Sequence, residues 1–397
     1  MTGAATVGSQ PEKRERQVTM LIAVVLVCLN LRVVFGGVDP LIPFMGLHPV
    51  IASILTALPP LCMGLFSPIG GNIAARHGEE RALLLSLAIL TAGVIVRSSG
   101  VPGLLVGTVI ASAGIAALNV LTPVFIRQRF APQRLGVMMG IYAMMMGGGG
   151  GIMAALSVPI YHATGGSWPL ALGIAAVPAI AAMVAMLPLL GTSRGRPGAR
   201  VKRAWHAMMR HGTAWSIAGF FGIQCLVFYT MLAWLPAIYV SKGVAPATAG
   251  LYLALSIFGV AAGGFVGPTI AARRNDHRRE LLLSIGFCVV GIVGILLAPV
   301  PGAPVWVILL GLGMGAGQGI PGVLYAKRTV DHPQMTQLSG MVQTIGYLIA
   351  ATGPLAAALL HGWTGGWKWP LIALLGLLLV NGVISLPGGR AHVIAGH

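Results

Sequence analysis

Acidic side chains are nearly absent: eight Asp and Glu occur in 397 residues. That scarcity excludes most hydrolytic and transfer chemistry, which needs paired carboxylates or a nucleophile held beside a base. No HExxH pattern occurs either. Charged residues of both signs make up only 8% of the chain, too few to clothe a soluble domain. Cysteine is scarce too. Cys28, Cys62, Cys225 and Cys288 all fall within apolar runs without metal-ligand spacing, so they read as small packing residues and no metal or cofactor is expected. Regular alternation of apolar and polar residues is missing as well, which argues against a membrane β-barrel.

What is abundant is apolar. Hydrophobic residues form 56% of the chain, in runs of about 20 residues, each long enough to cross a hydrocarbon core as a helix. Twelve such runs are predicted: 18–46, 49–74, 82–99, 102–126, 135–162, 167–190, 213–241, 246–272, 280–298, 303–326, 337–361 and 367–388. The fold class is therefore an all-α integral membrane protein with twelve transmembrane helices, in which internal Gly and Pro are tolerated.

The 25 Lys and Arg give a net charge of +17, and their position decides what that means. All but Arg32, Arg97, Lys242 and Lys368 fall in the N-terminal arm, the even-numbered loops or the tail. This is the positive-inside pattern of an inner-membrane protein with both termini cytoplasmic, and it leaves no reason to invoke nucleic acid. Lys13, Arg14 and Arg16 precede an apolar run too long for a secretory signal, and no small-residue cleavage site follows.

Two stretches repeat. IAARHGEERALLLS (73–86) returns as IAARRNDHRRELLLS (270–284), and HATGGSWPL (162–170) returns as HGWTGGWKWPL (361–371). Each half thus holds six spans, and because six is even the halves are parallel repeats about an axis along the membrane normal. The expected organisation is an arm (1–17), a six-helix bundle (18–190), a basic linker (191–212), a second bundle (213–388) and a tail (389–397). The linker reads as a solvated tether, with a lipid-recruiting patch as the alternative. Two such bundles enclose a cavity at the midplane and rock about it, the architecture of a carrier.

Two charged residues sit far from any span end, Arg32 and Asp39, both on the first span. A mid-helix arginine is expensive in lipid and should face a cavity or a partner. Its fork of donors suits a small oxyanion or planar anion. The alternative is an ion pair or carbonyl clamp that holds helices together. Asp39, seven residues on, is either a proton carrier or gate, or a hydrated vestibule residue. Gly36, Gly37 and Pro40 loosen the helix between and beyond them. Asn30, Asn119, Gln224, Tyr229, Gln318, Gln343 and Tyr347 are candidates for a polar shell around the substrate, although such groups also bridge membrane helices. The run MMMGGGGGIM (144–153) reads as a close-packing surface. Arg76 and Arg273, at matching places after the second and eighth spans, are candidates for a gate.

Twelve spans in two halves with basic loops after spans two and eight resemble the major facilitator superfamily. Within it, LNLR (29–32), TALP (56–59), the glycine run and FFGIQCLVFYTMLAWLP (220–236) resemble the cyanate and nitroimidazole transporter family over nearly the whole chain. The resemblance implies inner-membrane transport of a small anion or small polar heterocycle, which the two rocking bundles would carry by alternating access. Importing an anion against an inside-negative potential needs a co-moving cation, and a proton is the expected one. Export of a small toxic compound is the same-class alternative; a membrane sensor or enzyme is the alternative of another class. The superfamily's loop pattern G-x-L-A-D-R-x-G is met here by GNIAARHG (71–78), which has Ala75 at the acidic position, so the usual charge latch is altered.

Overall fold

The computed structural model describes residues 10–47, 49–190 and 208–394. Residues 1–9 of the arm, 191–207 of the linker and 395–397 of the tail lie outside the described residues. Twelve helices account for the apolar runs: α1 (Gln10–Gly36), α2 (Pro49–His77), α3 (Glu79–Arg97), α4 (Val101–Arg129), α5 (Leu135–Ala163), α6 (Trp168–Leu189), α7 (Gly212–Val240), α8 (Pro246–Ala271), α9 (Arg278–Leu297), α10 (Ala303–Lys327), α11 (His332–Thr364) and α12 (Lys368–Gly389). Among the described residues there is no strand, and ten helical stretches are long and apolar enough to cross a membrane. Local chemistry sets the ends. Asp331 caps α11 by accepting from the Gln334 amide at 2.8 Å, and the helix stops at Gly365, whose φ of 69° suits glycine.

The repeat is visible in the packing. In the first half α1 packs on α5, and both α2 and α3 on α4; in the second, α7 packs on α11, and both α8 and α9 on α10. The halves meet along two seams, α5 against α8 and α2 against α11, which the pseudo-two-fold axis exchanges.

The glycine run on α5 lets two backbones touch. A Cβ on Gly36 would lie 2.7 Å from both Cα and C of Gly150, and one on Gly149 would overlap the Leu29 carbonyl. α1 and α5 therefore cross at a separation that no larger side chain permits, as small-residue interfaces in membranes do. Gly148 faces open space and takes no part.

Two spans are broken. α1 ends at Gly36 and the chain resumes as a 3-10 turn, Asp39–Phe44, as the Gly-Gly and Pro signals predict. α6, predicted as one run over 167–190, is split by a turn at 174–175. The cause is Pro178: its ring collides with the carbonyl four residues back, that of Ile174.

Arg97 ties these breaks together. Sequence position placed it at an outer span end; it is in fact 1% exposed. It donates to the Val34 carbonyl at 2.5 Å and to the Leu172 carbonyl at 3.4 Å. Both carbonyls belong to last turns, of α1 and of the first segment of α6, where helices leave acceptors unsatisfied and favour a cation. Arg97→Ala should destabilise the protein by about 2 kcal/mol through these orphaned acceptors, read as a lowered unfolding midpoint in detergent, with Arg97→Lys recovering part of it.

At the opposite, basic end, Arg328 is 2% exposed and donates to the carbonyls of Asn275, Gly388 and Gly389 and to His277 Nδ1 at 2.7 Å. Burial and then the neighbouring Arg328 cation push the His277 imidazole down to about 4. A group held below its ordinary value of 6.5 binds fewer protons folded than unfolded, so its contribution is complete above that value and fades as pH falls toward about 4. The unfolding midpoint should therefore drop across that window, and His277→Gln should remove this component of the drop.

Candidate functional site

Arg32 lies on α1 where α5 presents glycine instead of side chains: a Cβ on Gly150 would stand 3.4 Å from the Arg32 Cβ. The close crossing pushes the guanidinium across the interior toward the second half. There it donates through Nη1 to the Tyr229 hydroxyl and lies 5.5 Å from the Phe228 ring centroid and 5.1 Å from that of Tyr229. The other arm, Nη2, is buried with no hydrogen-bond partner. The whole residue is 8% exposed.

A second polar bridge crosses the halves. Tyr142 on α5 donates to Asn119 Oδ1 at 3.2 Å, and Gln343 Nε2 on α11 donates to the Asn119 carbonyl at 2.8 Å. Gln343 Oε1 is left buried and unpartnered. Among the described residues, Tyr142, Tyr229, Tyr347 and Cys225 are titratable groups near enough to feel the charge of Arg32. All are phenols or thiols, uncharged at neutral pH. Tyr347 also packs edge-on against Phe221 at 5.4 Å.

The structure thus gathers Arg32, Tyr229, Tyr347, Asn119 and Gln343 of the predicted shell, and adds Tyr142, Phe228 and Cys225. Two predicted members point elsewhere. Asn30 donates to the Leu26 and Pro178 carbonyls, both at 2.8 Å, and so fastens α6 to α1. Gln224 faces α9, with Ser284 Oγ and Cys288 Sγ each at 3.5 Å. Gln318 is buried on α10 with Nε2 unpartnered. Arg76 and Arg273 are exposed at the basic ends of α2 and α8. The side chain of Asp39 lies outside the described residues; its backbone opens the 3-10 turn beyond α1.

Spacing carried the missing signal. Residues two apart on a helix lie about 200° apart, which sends Asn30 away from Arg32, and five apart lie about 140° apart, which separates Gln224 from Tyr229. Cys225 and Tyr229, four apart, share a face, as do Gln343 and Tyr347.

Arg127 at the end of α4 donates to Thr329 Oγ1 at 2.7 Å and to the Thr329 carbonyl at 3.2 Å, joining the halves at the basic end. Near it, Gln128 and Arg129 donate to Glu79 and Glu80 at the start of α3. Charged contacts thus fasten this end although Ala75 replaces the usual loop acid.

Residues 20–354 match the Major Facilitator Superfamily. The chain is 32% identical over 383 residues to the 2-nitroimidazole transporter of Escherichia coli (strain K12), covering 95% of this chain and 96% of that protein. It is 28% identical over 372 residues to the cyanate transport protein CynX of the same organism, covering 91% and 96%. Its fold matches that of the human organic anion transporter MFSD10 with a TM-score of 0.73 at 15% identity, over 94% of this chain and 99% of that one. With two six-helix halves around a mid-depth cluster, and with this likeness over almost its full length, the chain belongs to the major facilitator superfamily and, within it, to the cyanate and nitroimidazole transporter family.

Proposed function

We propose that this transporter carries a small monovalent anion, or a small polar heterocycle with a concentrated acceptor edge, and that Arg32 is the central substrate contact. One observation carries the reading: a buried guanidinium with Nη2 unpartnered and its other arm given only to a neutral phenol. An unpaired buried charge is costly and persists where a ligand of opposite sign visits. Cyanate and 2-nitroimidazole, the cargo named for two relatives, are both small and present such acceptors. Tyr142, Tyr347, Asn119 and Gln343 complete the shell without adding charge.

The distribution of basic residues supports an inner-membrane protein with cytoplasmic termini and a basic end facing the cytoplasm. In that orientation, accumulating a monovalent anion against an inside-negative potential costs about 2.3 kcal/mol per 100 mV, so uptake needs a co-moving cation. A proton is the natural choice, and Asp39, seven residues after Arg32 in the sequence, the carboxylate to carry it. The test is uptake of labelled cyanate and of 2-nitroimidazole into proteoliposomes at several imposed pH gradients. Uptake should rise with an inward proton gradient, and Asp39→Asn should flatten that dependence; a profile unaltered by the substitution would remove Asp39 from the coupling path.

A further inference from the structure

Among the described side chains, none of the acidic ones stands beside the charge of Arg32. The eight acidic residues are Glu12, Glu15, Asp39, Glu79, Glu80, Asp276, Glu280 and Asp331. Five are engaged at the basic end: Glu79 by Gln128, Glu80 by Arg129, Asp276 by Arg278, Glu280 by Arg274, and Asp331 by the amide of Gln334. Glu12 and Glu15 belong to the start of α1, and the backbone of Asp39 stands in the 3-10 turn beyond the break at Gly36. The groups that do face the guanidinium are Tyr142, Tyr229, Tyr347 and Cys225.

Its partners also span the moving seam. Arg32 belongs to the first half, whereas Phe228, Tyr229 and Tyr347 belong to the second. Alternating access requires both sides of the site to close before either reopens. In that closed state water is excluded, and a bare guanidinium is at its most costly. A bound monovalent anion cancels the charge and fills the Nη2 position. A phenol supplies one acceptor and no charge.

We propose that the carrier works chiefly as an exchanger of monovalent anions: the halves swing readily only when an anion occupies Arg32, on the outward as well as the inward stroke. This rests on Arg32 being the substrate contact. Proton-driven net uptake then runs at the pace of the slow empty return. Because the exchanged charges are equal, exchange itself moves no net charge across the membrane.

Wild-type protein in liposomes is tested with labelled cyanate outside and either unlabelled cyanate or gluconate inside, the voltage held at zero with potassium and valinomycin. 2-Nitroimidazole is tested in the same way, and binding of each probe is followed separately by thermal shift. Exchange should exceed net uptake at least tenfold, the ratio produced by a barrier difference of about 1.4 kcal/mol. It should also stay unchanged when an inside-negative potential is imposed. Tyr229→Phe, which strips the empty carrier of its phenolic acceptor, should widen the ratio of exchange to net uptake, each measured at a saturating concentration of the probe. A ratio below tenfold with binding intact overturns the exchanger proposal alone. Absence of both binding and flux for the two probes overturns the substrate reading, and this inference with it.

Discussion

Arg32→Gln will lose about 100-fold in affinity for its anion while its unfolding midpoint stays level or rises. Hydrogen bonds to a charged group contribute about 1.5–3 kcal/mol, and glutamine keeps one donor but neither the charge nor the fork. The stability half of the prediction separates the two meanings of a buried arginine. A structural clamp, once cut, costs about 3–5 kcal/mol because its partner charge is stranded. Here the partner is a neutral phenol and Nη2 has no hydrogen-bond partner among the described residues, so removing the charge relieves a burden instead of breaking a pair. Thermal shift on purified protein, with and without cyanate or 2-nitroimidazole, reads both halves. A fall in the midpoint with ligand response intact would return Arg32 to the role of a clamp. Arg97 provides the contrast: also buried, it is committed to carbonyls at two helix ends, and its loss should lower stability.

The second large effect is expected from Gly36→Val. The new Cβ would sit 2.7 Å from Cα and C of Gly150 and closer still to its carbonyl oxygen, and backbone cannot rotate aside as a side chain can. Overpacking of this kind costs about 3 kcal/mol at its upper range. It would part α1 from α5 and move Arg32, four residues earlier on the same helix, out of register with Tyr229. Transport should be lost and the unfolding midpoint lowered. Gly148→Val, with nothing within 4 Å of its Cβ, should leave both nearly unchanged. Equal damage from the two substitutions would mean that the glycine run acts through flexibility and not through contact.

Much of the fold was legible because lipid imposes a length. A run of about 20 apolar residues is a span whatever it packs against, so the twelve helices fall where hydropathy puts them, and the repeated loop motifs disclose the parallel halves. The breaks were legible only in part. Gly36, Gly37 and Pro40 announced the end of α1, whereas Pro178 went unread because the residues around it remain apolar on both sides of the turn.

The site divides along the same line. Sequence alone determined that a permanent cation, Arg32, sits within an apolar run of a chain with few acids, since a charge in such a run needs no coordinates to be seen. Tertiary structure decided which groups surround that cation. α7 is apolar on nearly every side, so hydropathy assigns it no inner face, and only packing against α8, α10, α11 and α12 turned Tyr229 toward Arg32 and Gln224 toward α9. The physical reason is that lipid and protein interior are equally apolar: burial selects the length of a membrane helix, but only contact selects its rotation.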